Sequence, residues 1–393
     1  MTTDGDRERH TGSRRTARRV RIAGLCALLL ATAAWGGPRE QAKRLHDRLA
    51  GVPPTEAVLD QMAAEIAGGN AIAAAMQAME HDAFYDVTLK NFAAPWTNEA
   101  QSKFVPLNDY IATVIGYVRD ERDFRGILSD DLVYVGKSDF GLPAYSVTSN
   151  AHYEAMEAQG LPLQNVLEAV PQSSVTGLPP AATAGITTTR AAAEAFFVAG
   201  TNRAMFRFTL LNHLCTDLEQ LKDITRPADR IRQDVSRSPG GDSRIFLNSC
   251  IGCHAGMDGL AGAYAYYDWD GSGIVYTPGQ VTPKHLINAD VFKYGYVTTD
   301  DSWVNYWREG RNARLGWPDG TGWGNGAKSL GQELAGTDAF ATCQVKKVFE
   351  TVCLRPPADA ADRAEVDRIA SAFKTDGNLK QVFAETAVWC MGD

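Results

Sequence analysis

No apolar run in this chain is long enough to cross a membrane as a helix: the longest, Ile22 to Ala34, holds roughly 13 residues where about 20 are needed. Positive charge is also short, with 39 Lys and Arg against 47 Asp and Glu and a formal net charge of −8. Seven arginines (Arg7, Arg9, Arg14, Arg15, Arg18, Arg19, Arg21) crowd into residues 1–34 beside three acids (Asp4, Asp6, Glu8), so the remainder keeps 32 bases and 44 acids, a net charge of −12. Such an acidic body repels a phosphate backbone, which argues against nucleic acid and for a basic protein surface as partner. There is no nucleophile elbow, no phosphate loop and no cluster of catalytic acids to indicate the common hydrolase or nucleotide-binding chemistries. No internal repeat is visible. At 393 residues the chain can bury a sizeable core and hold two or three domains.

What is present begins with a basic stretch to Arg21, the apolar run, and the small residues Ala31, Thr32, Ala33 and Ala34. This is the pattern of a secretory signal, expected over residues 1–34 with cleavage near Ala33 to Gly37, an uncleaved anchor being the alternative. The pairs Arg14-Arg15 and Arg18-Arg19 are followed by residues that fit a twin-arginine signal poorly, which favours the general secretory route. A periplasmic or otherwise exported chain follows, with no stable membrane span once the signal is removed. Cys26 leaves with the signal. Six cysteines remain, Cys215, Cys250, Cys253, Cys343, Cys353 and Cys390, an even number that suits an oxidising compartment.

Apolar residues recur at three and four along most of the chain, so the expected class is mainly α. A helical N-terminal domain is expected over 39–171, with Asn108 to Arg119 presenting Tyr110, Ile111, Val114, Ile115 and Val118 on one broad core face. Residues 172–189, rich in Ser, Thr and Gly and holding Pro179-Pro180, predict a linker or long loop. Thr188 or Thr189 then caps a helix expected from Ala193 to Leu214, and 225–242 reads as polar and exposed. A third region, 190–330, carries the motif described next and turns Gly-rich and irregular after Gly259. A helical C-terminal cap, 331–393, is started by Thr337 or Asp338.

The decisive string is Cys250-Ile251-Gly252-Cys253-His254. On a helix, positions i, i+3 and i+4 share a face, so two thiols can bond the vinyl groups of one haem while the imidazole reaches the iron. In an exported chain this is the haem c attachment signature, predicting one covalent haem on Cys250 and Cys253 with His254 as metal ligand. A Cys250–Cys253 disulfide or a zinc half-site is the alternative; zinc lacks a second Cys-x-x-Cys or a His pair at suitable spacing.

The segment Cys250 to Asp268 resembles the haem motif of the planctomycete-type monohaem cytochrome c families, in which C-x-x-C-H is followed by x-x-x-D-P-x-G and closes with an aromatic and an acid. Asp258, Leu260, Ala263, Tyr267 and Asp268 stand in matching places. Gly259 stands where the family has Pro, and Ala261 where it has Gly. Phe124-Arg125-Gly126-Ile127-Leu128, the run Asn202 to Phe206 continuing to Leu214-Cys215, and the helices after Phe340 extend the likeness. The resemblance implies a mainly α haem domain and export, and points to no substrate.

Candidates for the sixth iron ligand are Met205, His213, His285 and Met391. Met257, three residues beyond His254, sits on the same element and is badly placed to reach the opposite haem face. His213, among Leu210, Leu211 and Leu214, reads rather as a structural histidine. Two strong axial ligands make an electron carrier working with a redox partner protein, the expected function; a vacant distal side makes a haem-dependent oxidoreductase of peroxidase-like type. Asp268, Asp270 and Ser272 followed by Gly273 resemble the first half of a calcium loop, but Gly279 stands where a bidentate Glu belongs, which favours a plain acidic turn. If the helix through Phe340 runs unbroken to Cys353, Cys343 and Cys353 are ten residues and about 15 Å apart, too far to bridge. Each then pairs with Cys215 or Cys390, the assignment open and free buried thiols the alternative. Trp303, Tyr306, Trp307, Trp317 and Trp323 read as filling for an irregular core, a haem wall or sugar-stacking surface being the alternative.

Overall fold

Helices dominate the structure, a computed structural model that describes residues 36–198 and 200–392; the expected signal, 1–34, lies outside the described residues. Pro38–Leu49, Glu56–Ala67 and Ala71–Ala78 pack on one another, and the Thr55 side chain caps the second by accepting from Val58 N. The helix Asp109–Arg119 runs through the centre, buried from Asp109 to Val118 and capped by Asn108, as its apolar face requires. Its first acid is satisfied inside the fold: Asp109 accepts from Arg190 N at 2.6 Å, Ala191 N at 3.1 Å and the Tyr145 hydroxyl at 3.0 Å. Strands are short and, among the described residues, form three two-stranded antiparallel pairs: Val133–Gly136 with Leu167–Val170, Tyr267–Trp269 with Ile274–Tyr276, and Ser302–Val304 with Trp323–Asn325.

The closing helices Asp338–Cys353, Ala360–Asp376 and Leu379–Cys390 are capped by Thr337, Asp359 and Asn378. Because Asp338–Cys353 is unbroken, its two cysteines face separate partners: Cys215 and Cys343 are paired with Cα atoms 5.3 Å apart, Cys353 and Cys390 with Cα atoms 5.5 Å apart.

The expected division into domains is not what the chain does. One apolar core extends from Ala42 to Ala387, and residues 36–392 group as one unit. The helices after 331 are not a cap on the motif region alone: Leu379–Cys390 packs on Ala71–Ala78 and Pro38–Leu49, and Arg48 Nη1 donates to the Cys390 carbonyl at 2.9 Å. Residues 172–189 are not an exposed linker, since Ala182 to Thr189 are buried. Their hydroxyls satisfy the local backbone instead of water: Thr187 Oγ1 donates to Ala184 O at 2.7 Å and Thr189 Oγ1 to Ile186 O at 2.6 Å.

The helix expected from Ala193 to Leu214 is two, Arg190–Phe196 and Arg203–His213, the first capped by Thr189. Asn202, left-handed at φ 57°, turns the chain between them, and its side-chain amide donates to Tyr264 O at 2.7 Å and Tyr267 O at 2.9 Å. That anchor fastens Arg203–His213 to the motif region. The stretch 225–242 is likewise not all exposed, because Ile231 and Arg232 are buried.

Candidate functional site

The motif lies on one continuous helical run: Ser243–Ile245, a π-helical turn Phe246–Cys250, and the α-helix Ile251–Ala261. Asp242 starts it, accepting from Arg244 N at 2.9 Å. Successive residues turn by about 100°, which puts Cys250, Cys253 and His254 on one face and Gly252, Gly256 and Gly259 on the opposite one. The glycine face is pressed into the fold. A Cβ at residue 256 would lie 2.0 Å from Trp307 Nε1, at 259 2.9 Å from Val304 O, and at 252 2.5 Å from Lys222 Cγ. The Gly252 carbonyl accepts from Asp223 N at 2.9 Å. Gly259 therefore marks a close backbone approach.

On the other face Cys250 and Cys253 are unpaired and half-buried. Cys250 and Ile251 pack on a small cluster of Ile231, Val235, Phe246 and Ala255, separate from the main core. Cys253 Sγ is 3.6 Å from Leu218 O, and burial followed by the charge of Glu219 raises the pKa of its thiol. Ile245 and Leu247, just before the motif, are exposed; Ile224 is exposed too but lies against the glycine face, its Cγ2 3.3 Å from where a Cβ on Gly252 would be.

His254 Nδ1 lies 3.2 Å from both oxygens of Asp258, one turn further along, whose side chain is 0% exposed. The imidazole's Nε2 therefore points away from Asp258. Arg203 grips Asp258 with two hydrogen bonds, Nε to Oδ1 at 2.7 Å and Nη2 to Oδ2 at 3.0 Å. The same guanidinium grips Asp234 with Nη1 at 2.6 Å and Nη2 at 3.1 Å. Arg232 adds its backbone N at 3.2 Å from Asp258 Oδ2 and its side chain 4.0 Å from Oδ1. Burial by itself pushes the Asp258 carboxyl up, but the charge of Arg203, the hydrogen bond from His254 and the charge of Arg232 outweigh it and hold the pKa well below the usual range. Burial lowers Arg232 to about 10. For Arg203 burial acts downward and the two carboxylates more than reverse it.

Of the sixth-ligand candidates, His285 borders the ion set around Asp258 through Arg232, and the others have different neighbours. Burial, then the charge of Arg232, depress the pKa of His285, whose Nδ1 is 3.1 Å from Arg232 Nη1. His213 Nε2 is 2.9 Å from the Tyr110 hydroxyl, its ring packed against Trp96 and Phe340, the structural role its apolar neighbours suggested. Met205 Sδ is 3.9 Å from Thr209 Oγ1 in the main core, and Met257 is buried there too. Met391 belongs to the terminal helices, where Arg44 donates to its carbonyl.

Asp268 receives Lys284 Nζ at 2.7 Å, and Asp270 Oδ1 accepts from Ser272 N, Ser272 Oγ and Gly273 N, so the calcium-like segment is the turn of a hairpin. Trp303 and Trp307 are buried and Trp323 is 63% exposed, so the aromatic group forms no single wall. Among the described residues no group of three or more His, Cys, Asp or Glu is placed to hold a metal ion. No helix among them is long and apolar enough to cross a membrane.

Asp258 was visible as the i+4 neighbour of His254, a helix pair. Arg203, Arg232 and Asp234 carried no such signal, lying 55, 26 and 24 residues away in sequence from Asp258. Comparison with protein-family models, with curated proteins and with solved structures found no match.

Proposed function

We propose that this chain is an exported monohaem c-type cytochrome of the planctomycete-like kind, with one haem bonded to Cys250 and Cys253 and ligated by His254, and that it transfers single electrons to or from a redox partner protein. The observation that carries this reading is the donor set on one helical face: two unpaired thiols three residues apart, and an imidazole with Nδ1 engaged by Asp258 and Nε2 free. A metal-binding histidine characteristically donates its other nitrogen to a carboxylate or carbonyl in this way. A haem bound there supplies a one-electron iron couple. Cys250 and Cys253 would tether it, His254 would contribute a ring nitrogen, and Ile245 and Leu247 offer exposed apolar side chains just before the motif. The pairing of the other four cysteines suits an oxidising compartment such as the periplasm. The acidic body favours a basic partner surface and disfavours nucleic acid.

A second reading, a haem-dependent oxidoreductase with an open distal side, is favoured by the seating of Met205, His213, Met257 and Met391 in other surroundings and by the engagement of His285 Nδ1 with Arg232. Production of the full chain in a host able to assemble c-type cytochromes tests both. Haem mass retained on the denatured polypeptide is expected; colourless protein of bare polypeptide mass would overturn the proposal. A ferrous spectrum unchanged by carbon monoxide supports the carrier, and rapid carbon monoxide binding supports the enzyme.

A further inference from the structure

The acid nearest the motif is not simply a buried partner for arginine. Asp258 is the one carboxylate within hydrogen-bond distance of His254 among the described residues, both its oxygens being 3.2 Å from Nδ1. It is fixed from behind by Arg203 Nε and Nη2 at 2.7 and 3.0 Å and by Arg232 N at 3.2 Å. Arg203 is itself fixed by its two bonds to Asp234, at 2.6 and 3.1 Å. Two arginines and two aspartates thus form a balanced, largely buried set whose hydrogen-bond acceptor toward the helix face is aimed at one ring nitrogen. A packing role needs no such aim. A carboxylate behind an axial imidazole selects its tautomer, orients the ring and strengthens it as a donor to the metal.

We propose that Asp258 is a positioning residue for the axial imidazole, holding His254 with Nδ1 protonated and Nε2 turned to the iron, and that its charge, moderated by Arg203, sets the reduction potential of the attached haem. This rests on the haem reading above. A negative charge and a strong acceptor behind the ligand favour oxidised iron, so loss of Asp258 raises the potential. Loss of Arg203 leaves Asp258 less neutralised and lowers it. Opposite shifts from two residues of one ion pair are not expected if the pair only stabilises the fold.

The test is the midpoint potential of full-length, haem-loaded wild-type, Asp258→Asn and Arg203→Gln proteins, with the iron–imidazole vibration of the ferrous form as second readout. Asp258→Asn is expected to favour reduced iron by about tenfold, about 59 mV for a one-electron couple, and to weaken the iron–imidazole vibration; Arg203→Gln is expected to move both in the opposite sense. Haem-loaded Asp258→Asn with the wild-type potential overturns the inference and leaves the haem reading standing. Wild-type protein without covalent haem overturns the haem reading itself. If Asp258→Asn does not accumulate, Arg203→Gln decides: a lower potential supports the proposal, and an unchanged or higher one overturns it.

Discussion

The indole of Trp307 fills the space that a side chain at residue 256 would need, Nε1 lying 2.0 Å from the position of a Cβ on Gly256. Trp307 is fully buried, so it has no room to withdraw. Gly256→Ala is therefore expected to destabilise the protein by about 1–3 kcal/mol, the usual range for forcing extra volume into a packed core. Urea denaturation followed by tryptophan fluorescence measures it, and a midpoint equal to that of wild type would show that Trp307 can move.

The two cysteine pairs close loops of different length, with sequence separations of 128 for Cys215–Cys343 and 37 for Cys353–Cys390. In the chain-entropy picture the longer loop stabilises by about 1 kcal/mol more. Cys215→Ala/Cys343→Ala should thus unfold at lower denaturant than Cys353→Ala/Cys390→Ala, each pair losing about 2–5 kcal/mol. The reverse order would locate the dominant effect in the native state.

Much of this was open to reading from the residues in order. Cys250, Cys253 and His254 stand out as a candidate site because the spacing that places them on one helical face is local, and the helix Asp109–Arg119 is legible because its apolar face repeats within a few residues. The same locality settled that Cys343 and Cys353 cannot bond each other. What escaped was non-local. Arg203 meets Asp258 across 55 residues, and the order of neither segment hints at it. Residues 172–189 misled for another reason: Ser and Thr normally mark solvent, but here Thr187 and Thr189 bond carbonyls three residues earlier and enter the core. Asn202 broke an expected helix because its amide gains Tyr264 and Tyr267 as acceptors.

Buried histidines give the stability profile its acid side. His213 is held far below its ordinary 6.5 by burial, and then by the charge of Lys347; burial shifts His46 and His285 the same way. Below pH 6.5 the unfolded chain binds protons that the native chain refuses, so stability falls with pH by about 1.4 kcal/mol per unit for each strongly shifted histidine. Denaturation midpoints between pH 7 and pH 5 should show this fall, and His213→Gln should make it shallower. A flat profile would mean that these rings accept protons in the native state.

The proposed haem attachment can be tested one thiol at a time. Cys250→Ala or Cys253→Ala leaves one sulfur, and single-bonded haem should remain on the denatured chain in reduced yield; the double variant should lose it to acidified organic solvent. Haem that resists extraction from the double variant would place the covalent bond elsewhere.

Leu379–Cys390 lies beside Pro38–Leu49, and the Cys390 carbonyl is held by Arg48. The first helix packs early on its sequence neighbours Glu56–Ala67 and Ala71–Ala78, but its contact with Leu379–Cys390 forms only after residue 390 has been delivered. On the proposed reading of an exported haem protein, the centre of the polypeptide is delivered before this contact forms, and Cys250 and Cys253 stay accessible to a modifying enzyme for an interval set by translocation.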